Sequence, residues 1–228
     1  MVASFVGNLT ASFEAVPGGR LHYRHIELCK IQSLKLSKGD FEGDCPLSNN
    51  AKDEITWWIA NIGDAFAAIK STPTIDYTIY TDASNLGWGA SDTLSTINGR
   101  WSLQEQSFHI NCLEILAIKF ALSALLPLKK HIKHVRIMSD NTTAIAYVNK
   151  KGGTHSVKCN DIACEIWEMC MKSGVHISAA HIPGLHNILA DTASRVFHDS
   201  AEWMLSHDVF LFCLLYMVHQ KLTYLLLD

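Results

Sequence analysis

Four acidic residues lie where the sequence predicts that strands end or helices begin. Asp82, in TDAS, ends an alternating run typical of a strand, and Asp140, in RIMSDN, follows a short apolar run. Glu114 and Asp191 lie near the starts of two predicted helices. Ligands of α/β folds bind at such strand ends and helix starts, so these carboxylates are expected to share one site. Clustered carboxylates repel one another, and hard divalent cations such as Mg²⁺ or Mn²⁺ offset that charge.

Glu114 is the most informative of the four, because its helix is otherwise almost entirely apolar. Between residues 112 and 126 the polar residues are Glu114, Lys119 and Ser123. A carboxylate buried on such a helix must be neutralised, paired or bound to a metal, because burial of a bare charge is costly. The alternative is an exposed Glu at a helix N-terminus, a position that the helix macrodipole favours.

Each Asp also has a structural alternative. Asp82 and Asp140 are compatible with turn or cap positions, and Asp191 is compatible with a solvent-facing one. Taken singly, each acid is more typical of such a role than of catalysis. The hypothesis of an active site therefore depends on the four residues together, each in its own sequence context.

The elements that must position these acids begin at Thr74, where apolar and polar residues start to alternate. The predicted strands span residues 75–80, 88–91, 100–103, 134–139 and 175–181, the third of them after a turn at Asn98-Gly99. The predicted helices span residues 109–126, 141–149, 157–173 and 188–196. This order predicts an α/β fold in which a mixed five-stranded sheet carries helices on both faces.

Three regions divide the chain. Residues 1–72 form a helical front segment with helices at 22–37 and 51–70, the second of them capped within Ser48-Asn49-Asn50. Residues 73–200 form the sheet domain with the four acids. Residues 201–228 form an apolar tail whose longest run is broken by His219-Gln220-Lys221, so no membrane span is expected.

Composition limits the partners of this chain. Hydrophobic residues make up 48% and charged residues 18%, which favours a packed core over disorder. The net charge is −3, so contacts with phosphates must come from local lysines and must be sensitive to salt. The candidates, most of which are expected to be ordinary surface charges, are Lys129, Lys130, Lys133, Lys150, Lys151 and Lys158. Seven cysteines without a CxxC motif indicate reduced thiols inside a cell.

The contexts of the four acids resemble the type 1 ribonuclease H family. That family has a first-strand Asp before a Gly-containing second strand (here GWGA), a helix Glu three residues after an Asn, and a fourth-strand Asp. It ends on His, Asn and Asp at spacings of six and four. The matching residues are Asp82, Asn111, Glu114, Asp140, His181, Asn187 and Asp191. The match extends from residue 76 to about residue 195, just over half of the chain.

The resemblance implies an endoribonuclease that cuts the RNA strand of RNA–DNA hybrids with two Mg²⁺ ions, for which Mn²⁺ can substitute. Asp82 would bridge both ions, with Glu114 and Asp140 beside it, and Asp191 would complete one coordination shell. The 2′-hydroxyl groups of the RNA would distinguish the hybrid from DNA.

The same resemblance assigns roles to three further residues. His181, expected on a flexible turn at 181–186, would help proton transfer or product release. Asn111 and Asn187 would contact the nucleic-acid backbone or hold neighbours of the site, with helix capping as the alternative. The stretch 150–156 departs from the family, because it is too short for the basic protrusion with which many cellular members hold the hybrid.

The flanks resemble DIRS-type retrotransposons. Residues 12–37 are similar to the segment that follows the polymerase of these elements, and residues 194–205 are similar to the sequence after their ribonuclease H. The chain contains neither the Asp-Asp pair of a polymerase nor an HxxR motif of a tyrosine recombinase. The resemblance therefore predicts a piece of a polyprotein, with the reverse transcriptase polymerase as its partner.

Three alternatives remain open. The first is a non-catalytic relic or a hybrid-binding fragment of such an element. The second is a nuclease or transposase of the same fold that acts on DNA with three acids. The third is a zinc site, whose candidate ligands are His155, Cys159, Cys164 and Cys170.

Overall fold

The computed structural model describes residues 2–63, 74–129 and 131–197. The described residues form a five-stranded sheet in the order β3-β2-β1-β4-β5. Its strands are β1 (Tyr77–Ala83), β2 (Gly87–Ser91), β3 (Thr96–Arg100), β4 (His134–Ser139) and β5 (His176–His181). The first three strands pair in antiparallel fashion, whereas β4 runs parallel to both β1 and β5.

Helices cover both faces of this sheet. The described helices are α1 (Val2–Ala11), α2 (Arg24–Leu36), α3 (Asn49–Asn61), α4 (Ile110–Leu125), α5 (Thr142–Asn149), α6 (Val157–Lys172) and α7 (Ile188–Arg195). Successive residues of a strand point to opposite faces. On β2, the ring of Trp88 packs 5.5 Å from that of Phe120 in α4, whereas Gly89 faces Ala190 in α7. The predicted fold class, an α/β protein with a mixed five-stranded sheet and helices on both faces, is therefore confirmed.

The prediction for the third strand was wrong. The structure places Asn98 and Gly99 inside β3, and the turn that precedes the strand lies at 92–95. Asp92 forms this turn, because its Oδ1 accepts hydrogen bonds from the backbone N–H groups of Leu94 (2.7 Å) and Ser95 (2.6 Å). Gly99 is needed within the strand, since a Cβ there would lie 2.7 Å from Nε1 of Trp88.

The front segment contains one helix, α1, that the sequence did not predict. Its three helices share a small apolar core that includes Ile26 and Trp58. As predicted, Ser48 caps α3, its Oγ accepting a hydrogen bond from the N–H of Ala51 at 3.2 Å. The described part of α3 ends at Asn61, and the rest of the helix predicted to residue 70 lies outside the described residues.

The front segment packs against the sheet domain in one compact unit. The Nη2 of Arg24 donates to the carbonyl of Lys150 at 3.2 Å, and Leu21 belongs to the main core. The predicted boundary near residue 72 and the tail 201–228 fall outside the described residues and stay predictions. Among the helices that the structure describes, none is both long enough and apolar enough to cross a bilayer.

Helix α7 lies directly on β2 because β2 carries glycine at the contact. A Cβ on Gly89 would lie 2.3 Å from the carbonyl oxygen of Ala190 and 2.5 Å from the backbone nitrogen of Ser194. Both are backbone atoms of a helix, which cannot rotate away. Gly89, the second glycine of GWGA, therefore allows the close approach that brings α7 to the edge of the acids.

Replacement of Gly89 by Ala is expected to lower the free energy of unfolding by about 2–3 kcal/mol, because the helix must shift to accept the methyl group. Urea denaturation followed by circular dichroism measures this change. Gly7→Ala is the matched control, since a Cβ at Gly7 meets no atom within 4 Å and alanine favours the helix α1. Equal stability of the two variants would contradict the described contact.

Candidate metal centre

Three of the four predicted acids meet at one edge of the sheet. Asp82, Glu114 and Asp140 each offer an oxygen, and these atoms lie within 4.8 Å of one another. Asp82 lies in β1, and Asp140 directly follows β4, the parallel neighbour of β1. Glu114 comes from the second turn of α4, which packs on β1. In the described part of the chain, this is the one group of three or more His, Cys, Asp or Glu side chains that meets this distance.

Glu114 is buried with a relative exposure of 5%, and its Oε2 finds no hydrogen-bond partner among the described residues. Burial, followed by the charges of Asp82 and Asp140, raises the pKa of Glu114 to about 9. Of the two alternatives that the sequence left open for Glu114, a buried carboxylate and an exposed Glu at the helix N-terminus, the structure has the buried one. An unpartnered buried carboxylate oxygen is a polar atom that a cation would satisfy.

Asp82 is equally buried, with a relative exposure of 5%. Burial raises its pKa to about 6, and the nearby charges of Asp191 and Asp140 act in the same direction. A hydrogen bond from Ser194 opposes this shift, since its Oγ donates to Oδ2 of Asp82 at 2.7 Å. Asp140 is more exposed than the other two acids. The arrangement concentrates negative charge in a place with little water, which is the electrostatic setting of a cation site.

Asp191 lies outside the group of three. Its Oδ1 accepts two hydrogen bonds from Arg195, one turn along α7, at 2.9 Å from Nε and 2.7 Å from Nη2. The Asp191 side chain is 44% exposed. Its charge still acts on the pKa of Asp82, so it is close to the site. The structure therefore places Asp191 beside the centre, paired with an arginine.

His181 is the last residue of β5 and is exposed. The sequence placed it on a flexible turn at 181–186, whereas the structure pairs it with Ser139, the residue before Asp140. The turn itself follows, and a Cβ at its Gly184 would lie 3.0 Å from Oδ2 of Asp140. His181 thus stands at the same edge of the sheet as Asp140, held by the strand.

The two candidate asparagines, Asn111 and Asn187, differ in burial and in hydrogen-bond partners. Asn187 is 2% exposed, and its Nδ2 donates to the carbonyl of Thr81 at 3.0 Å, so it holds the strand that carries Asp82. This burial leaves it little surface for a contact with nucleic acid. Asn111 is more exposed, and its Oδ1 accepts from Nδ2 of Asn141, which caps α5, at 3.0 Å.

A cleft of about 500 Å³ lies one helical turn from Glu114. Polar residues on its wall include Asn111, Thr142, Thr143, His155 and Ser156. The N-termini of α4, α5 and α6 begin at or next to these residues. Helix N-termini carry positive potential, which favours anions, and at each of these three a cap side chain (His109, Asn141 or Ser156) already accepts one of the N–H groups.

Several of the candidate lysines are engaged with aromatic rings. The Nζ of Lys151 lies 4.5 Å from the ring centroid of Trp167, and burial lowers its pKa. The Nζ atoms of Lys129 and Lys158 lie 4.4 Å and 4.6 Å from the ring centroids of Tyr77 and Phe108. Lys133 and Lys150 are exposed, and Lys130 is outside the described residues. Phosphate contacts are therefore expected to be few.

The alternative of a zinc site finds no support among the described residues, because His155, Cys159, Cys164 and Cys170 form no metal-binding group there. The Sγ of Cys159 lies 2.9 Å from the Sγ of Cys112 on α4 instead. Burial raises the pKa values of Cys159 to about 11 and of Cys164 and Cys170 to about 12.

Ser194, the partner of Asp82, was missed by the sequence analysis. It lies three residues after Asp191, on the same side of α7. This spacing places two residues of a helix next to each other, so it is the one sequence signal that could have linked Ser194 to the acids.

No protein-family model matches the sequence, and no curated protein matches it. Solved structures with a similar fold include the LC11 ribonuclease H1 in complex with an RNA/DNA hybrid, at 18% identity over 51% of this chain and 91% of that chain, with a TM-score of 0.44. The ribonuclease H1 of the archaeon Halobacterium salinarum NRC-1 is 15% identical over 51% of this chain and 92% of its own, with a TM-score of 0.42.

A third similar structure is the protease-reverse transcriptase of prototype foamy virus. It is 14% identical over 89% of this chain, with a TM-score of 0.37. This chain spans 26% of the length of that viral chain. All of these similarities are low in sequence identity and in structural overlap, so the functional conclusion depends on the residues of the site itself.

Proposed function

We propose that this chain is an endoribonuclease that hydrolyses the RNA strand of RNA–DNA hybrids by a two-metal mechanism. The observation that carries the proposal is the meeting of Asp82, Glu114 and Asp140 within 4.8 Å around an unpartnered carboxylate oxygen of Glu114. These acids come from two parallel strands and a helix, in the order and sequence contexts of type 1 ribonuclease H.

The donor set suits Mg²⁺ or Mn²⁺. It consists of carboxylate oxygens, which hard cations prefer, and it lacks the thiolates and imidazoles typical of zinc. Asp82, Glu114 and Asp140 would hold the metal, and Asp191 would join them on release from Arg195. When bound, a pair of such ions activates the attacking water and stabilises charge on the leaving oxygen.

The side chains of the site would support the metal ligands and transfer protons. Asn187 holds the strand of Asp82 through the carbonyl of Thr81. Glu114, whose pKa is raised to about 9, would give up its proton to hold a cation at neutral pH, whereas Asp82, whose pKa is raised to about 6, is mostly ionised there. The exposed imidazole of His181, at the edge beside Asp140, is suited to transfer a proton to the leaving group.

The hybrid would lie across the cleft beside Glu114. Hydroxyl and amide groups of Thr142, Thr143 and Asn111 line it, and three helix N-termini open on it. These neutral donors bind phosphate with less long-range attraction than a basic protrusion. Binding by this chain is therefore expected to be modest, with a shallow salt dependence.

The similarity of residues 12–37 and 194–205 to DIRS-type elements supports a place in retrotransposon reverse transcription. In that setting the polymerase of the parent polyprotein makes the hybrid and holds it near the ribonuclease site. The packing of Leu21 and Arg24 against the sheet domain supports a front segment that links the two activities.

A second candidate is a nuclease that cuts DNA with three acids. The pairing of Asp191 with Arg195, outside the group of three, favours this candidate. A non-catalytic, hybrid-binding relic is compatible with the same pairing, because a fourth acid tied to arginine contributes less to a metal site. The substrate that is cut distinguishes these candidates.

The test incubates the full chain with an end-labelled RNA–DNA hybrid and Mg²⁺, beside an all-DNA duplex and the variant Asp140→Asn. We expect cleavage of the RNA strand that requires metal and falls by about 10²-fold or more in the variant, since one metal ligand is lost. Thermal unfolding shows that both proteins are folded. Cleavage of the all-DNA duplex would favour the DNA nuclease, and absence of cleavage in both Mg²⁺ and Mn²⁺ would favour the relic.

A further inference from the structure

Ser194 is a fully buried hydroxyl in contact with the candidate metal centre. Its relative exposure is 0%, and its Oγ lies 2.7 Å from Oδ2 of Asp82 and 2.8 Å from the carbonyl of Asp191. A hydroxyl has one hydrogen to donate, and a hydrogen bond to a carboxylate is about twice as strong as one to a neutral carbonyl. The ionised form of Asp82 is therefore the preferred acceptor.

The position of this hydroxyl does not depend on Asp82. Helix α7 packs on Gly89, and the absence of a Cβ there leaves room for the backbone nitrogen of Ser194. The Oγ of Ser84 donates to the carbonyl of Ser194 at 2.6 Å, and Nδ2 of Asn98 donates to that of Ala193 at 3.1 Å. Two contacts from the sheet and one from Ser84, the residue after β1, thus hold the last turn of α7 in place.

Asp82 needs such a support. The terminal torsion of an aspartate is broad, so its carboxylate rotates easily when nothing holds it. Asp140 lies close by, and the charges of Asp191 and Asp140 repel that of Asp82 in the absence of a cation. A donor on Oδ2 satisfies one buried oxygen and restricts the rotation, which leaves the other oxygen available to a metal.

We propose that Ser194 is a positioning residue for the divalent-cation site, and that its hydroxyl sets the orientation of the Asp82 carboxylate. This inference rests on the proposed function, because it requires a metal at the three acids. It also gives α7 a second role, since one helix then carries both Asp191 and the support of Asp82. Partners that orient metal ligands typically change metal affinity by about 10–100-fold when they are removed.

The test is calorimetric titration of the full chain with Mn²⁺. For Ser194→Ala we expect the dissociation constant to rise about tenfold. For Ser194→Cys, whose thiol is a weak donor of similar size, we expect a smaller rise. Ser123→Ala is the matched control, because Ser123 is an exposed serine of α4 that bonds the carbonyl of Lys119, and it should leave the affinity unchanged.

Kinetics provide the second measurement. If Ser194 acts only through the metal, Ser194→Ala raises the Mg²⁺ concentration for half-maximal cleavage, leaves KM for the hybrid unchanged, and recovers kcat at saturating Mg²⁺. A residue needed only for folding would lower activity at every Mg²⁺ concentration and lower the unfolding temperature in EDTA. If Ser194→Ala does not fold, the Mn²⁺ affinity of Ser194→Cys is compared with that of the wild-type protein. A weaker affinity in Ser194→Cys then supports the positioning role, and an equal affinity contradicts it.

The outcomes are distinguishable. Wild-type binding of Mn²⁺ together with unchanged affinity in both Ser194 variants overturns the role of Ser194 and leaves the proposed function standing. Absence of Mn²⁺ binding by the folded wild-type protein overturns both. A weakened affinity in Ser194→Ala supports the inference even where no hybrid is cleaved.

Discussion

Replacement of Asp82 by Asn is expected to reduce cleavage of the RNA–DNA hybrid by about 10³-fold or more. Asp82 interacts with all of the other candidate acids: it shares the group of three with Glu114 and Asp140, and Asp191 acts on its pKa. The amide keeps the shape of the side chain but removes the charge that holds a divalent cation. A loss of this size corresponds to about 4 kcal/mol of transition-state stabilisation.

The variant should remain folded, so that the loss reports on chemistry. Burial raises the pKa of Asp82 to about 6, which means that its charge is unfavourable in the metal-free protein. Unfolding in EDTA at pH 7.5 should therefore show Asp82→Asn to be at least as stable as the wild-type protein. Asp53→Asn, an exposed position on α3, serves as the control with full activity. Retention of a tenth of the wild-type rate by Asp82→Asn would remove Asp82 from the mechanism.

Replacement of Glu114 by Gln is expected to raise the free energy of unfolding of the metal-free protein by about 2–4 kcal/mol at pH 7.5. The pKa of Glu114 is raised from 4.5 to about 9 in the folded state, first by burial and then by Asp82 and Asp140. At pH 7.5 the folded protein must keep this group protonated, whereas the unfolded chain ionises it freely. Gln, which is always neutral, avoids that cost.

The raised pKa of Glu114 also determines how the free energy of unfolding changes with pH. The folded state binds the Glu114 proton more tightly than the unfolded state, so the stability that this proton contributes is complete below pH 4.5. It is lost progressively as pH rises from about 4.5 to about 9. The pKa of Asp82, raised from 3.8 to about 6, causes a further loss of stability as pH rises between those two values. The gain from Glu114→Gln should therefore fall below about 1 kcal/mol at pH 5.

Urea denaturation in EDTA at several pH values measures this gain. Glu168→Gln, at an exposed position of α6, is the matched control and should change stability little at any pH. Mg²⁺ should stabilise the wild-type protein more than Glu114→Gln, because the cation replaces the proton in the wild-type site. A stability profile of Glu114→Gln parallel to that of the wild-type protein would mean that this carboxylate is solvated.

Local patterns in the sequence identified the parts from which the site is built. The short apolar run before Asp140 predicted β4 with the bounds that the structure has, residues 134–139. A single carboxylate on an apolar helix made Glu114 the most informative acid, because a helix that is apolar on all sides has no exposed face for a charge, although the sequence left an exposed position open. The order of strands and helices was sufficient for the fold class, since three hairpin strands followed by alternating helices and strands permit few topologies.

What the sequence could not provide depends on how the elements pack on one another. The periodicity of α7 shows which of its faces is apolar. Only the packing of α7 on Gly89 brings Ser194 within hydrogen-bond distance of Asp82. The pairing of Asp191 with Arg195 and the burial of Asn187 against Thr81 are likewise contacts that form when helix and sheet meet. The chemical types and their order along the chain are thus local properties that the sequence determined by itself. The distances between the carboxylates, and the hydroxyl that supports one of them, were decided by the tertiary structure, because they join residues up to 112 positions apart.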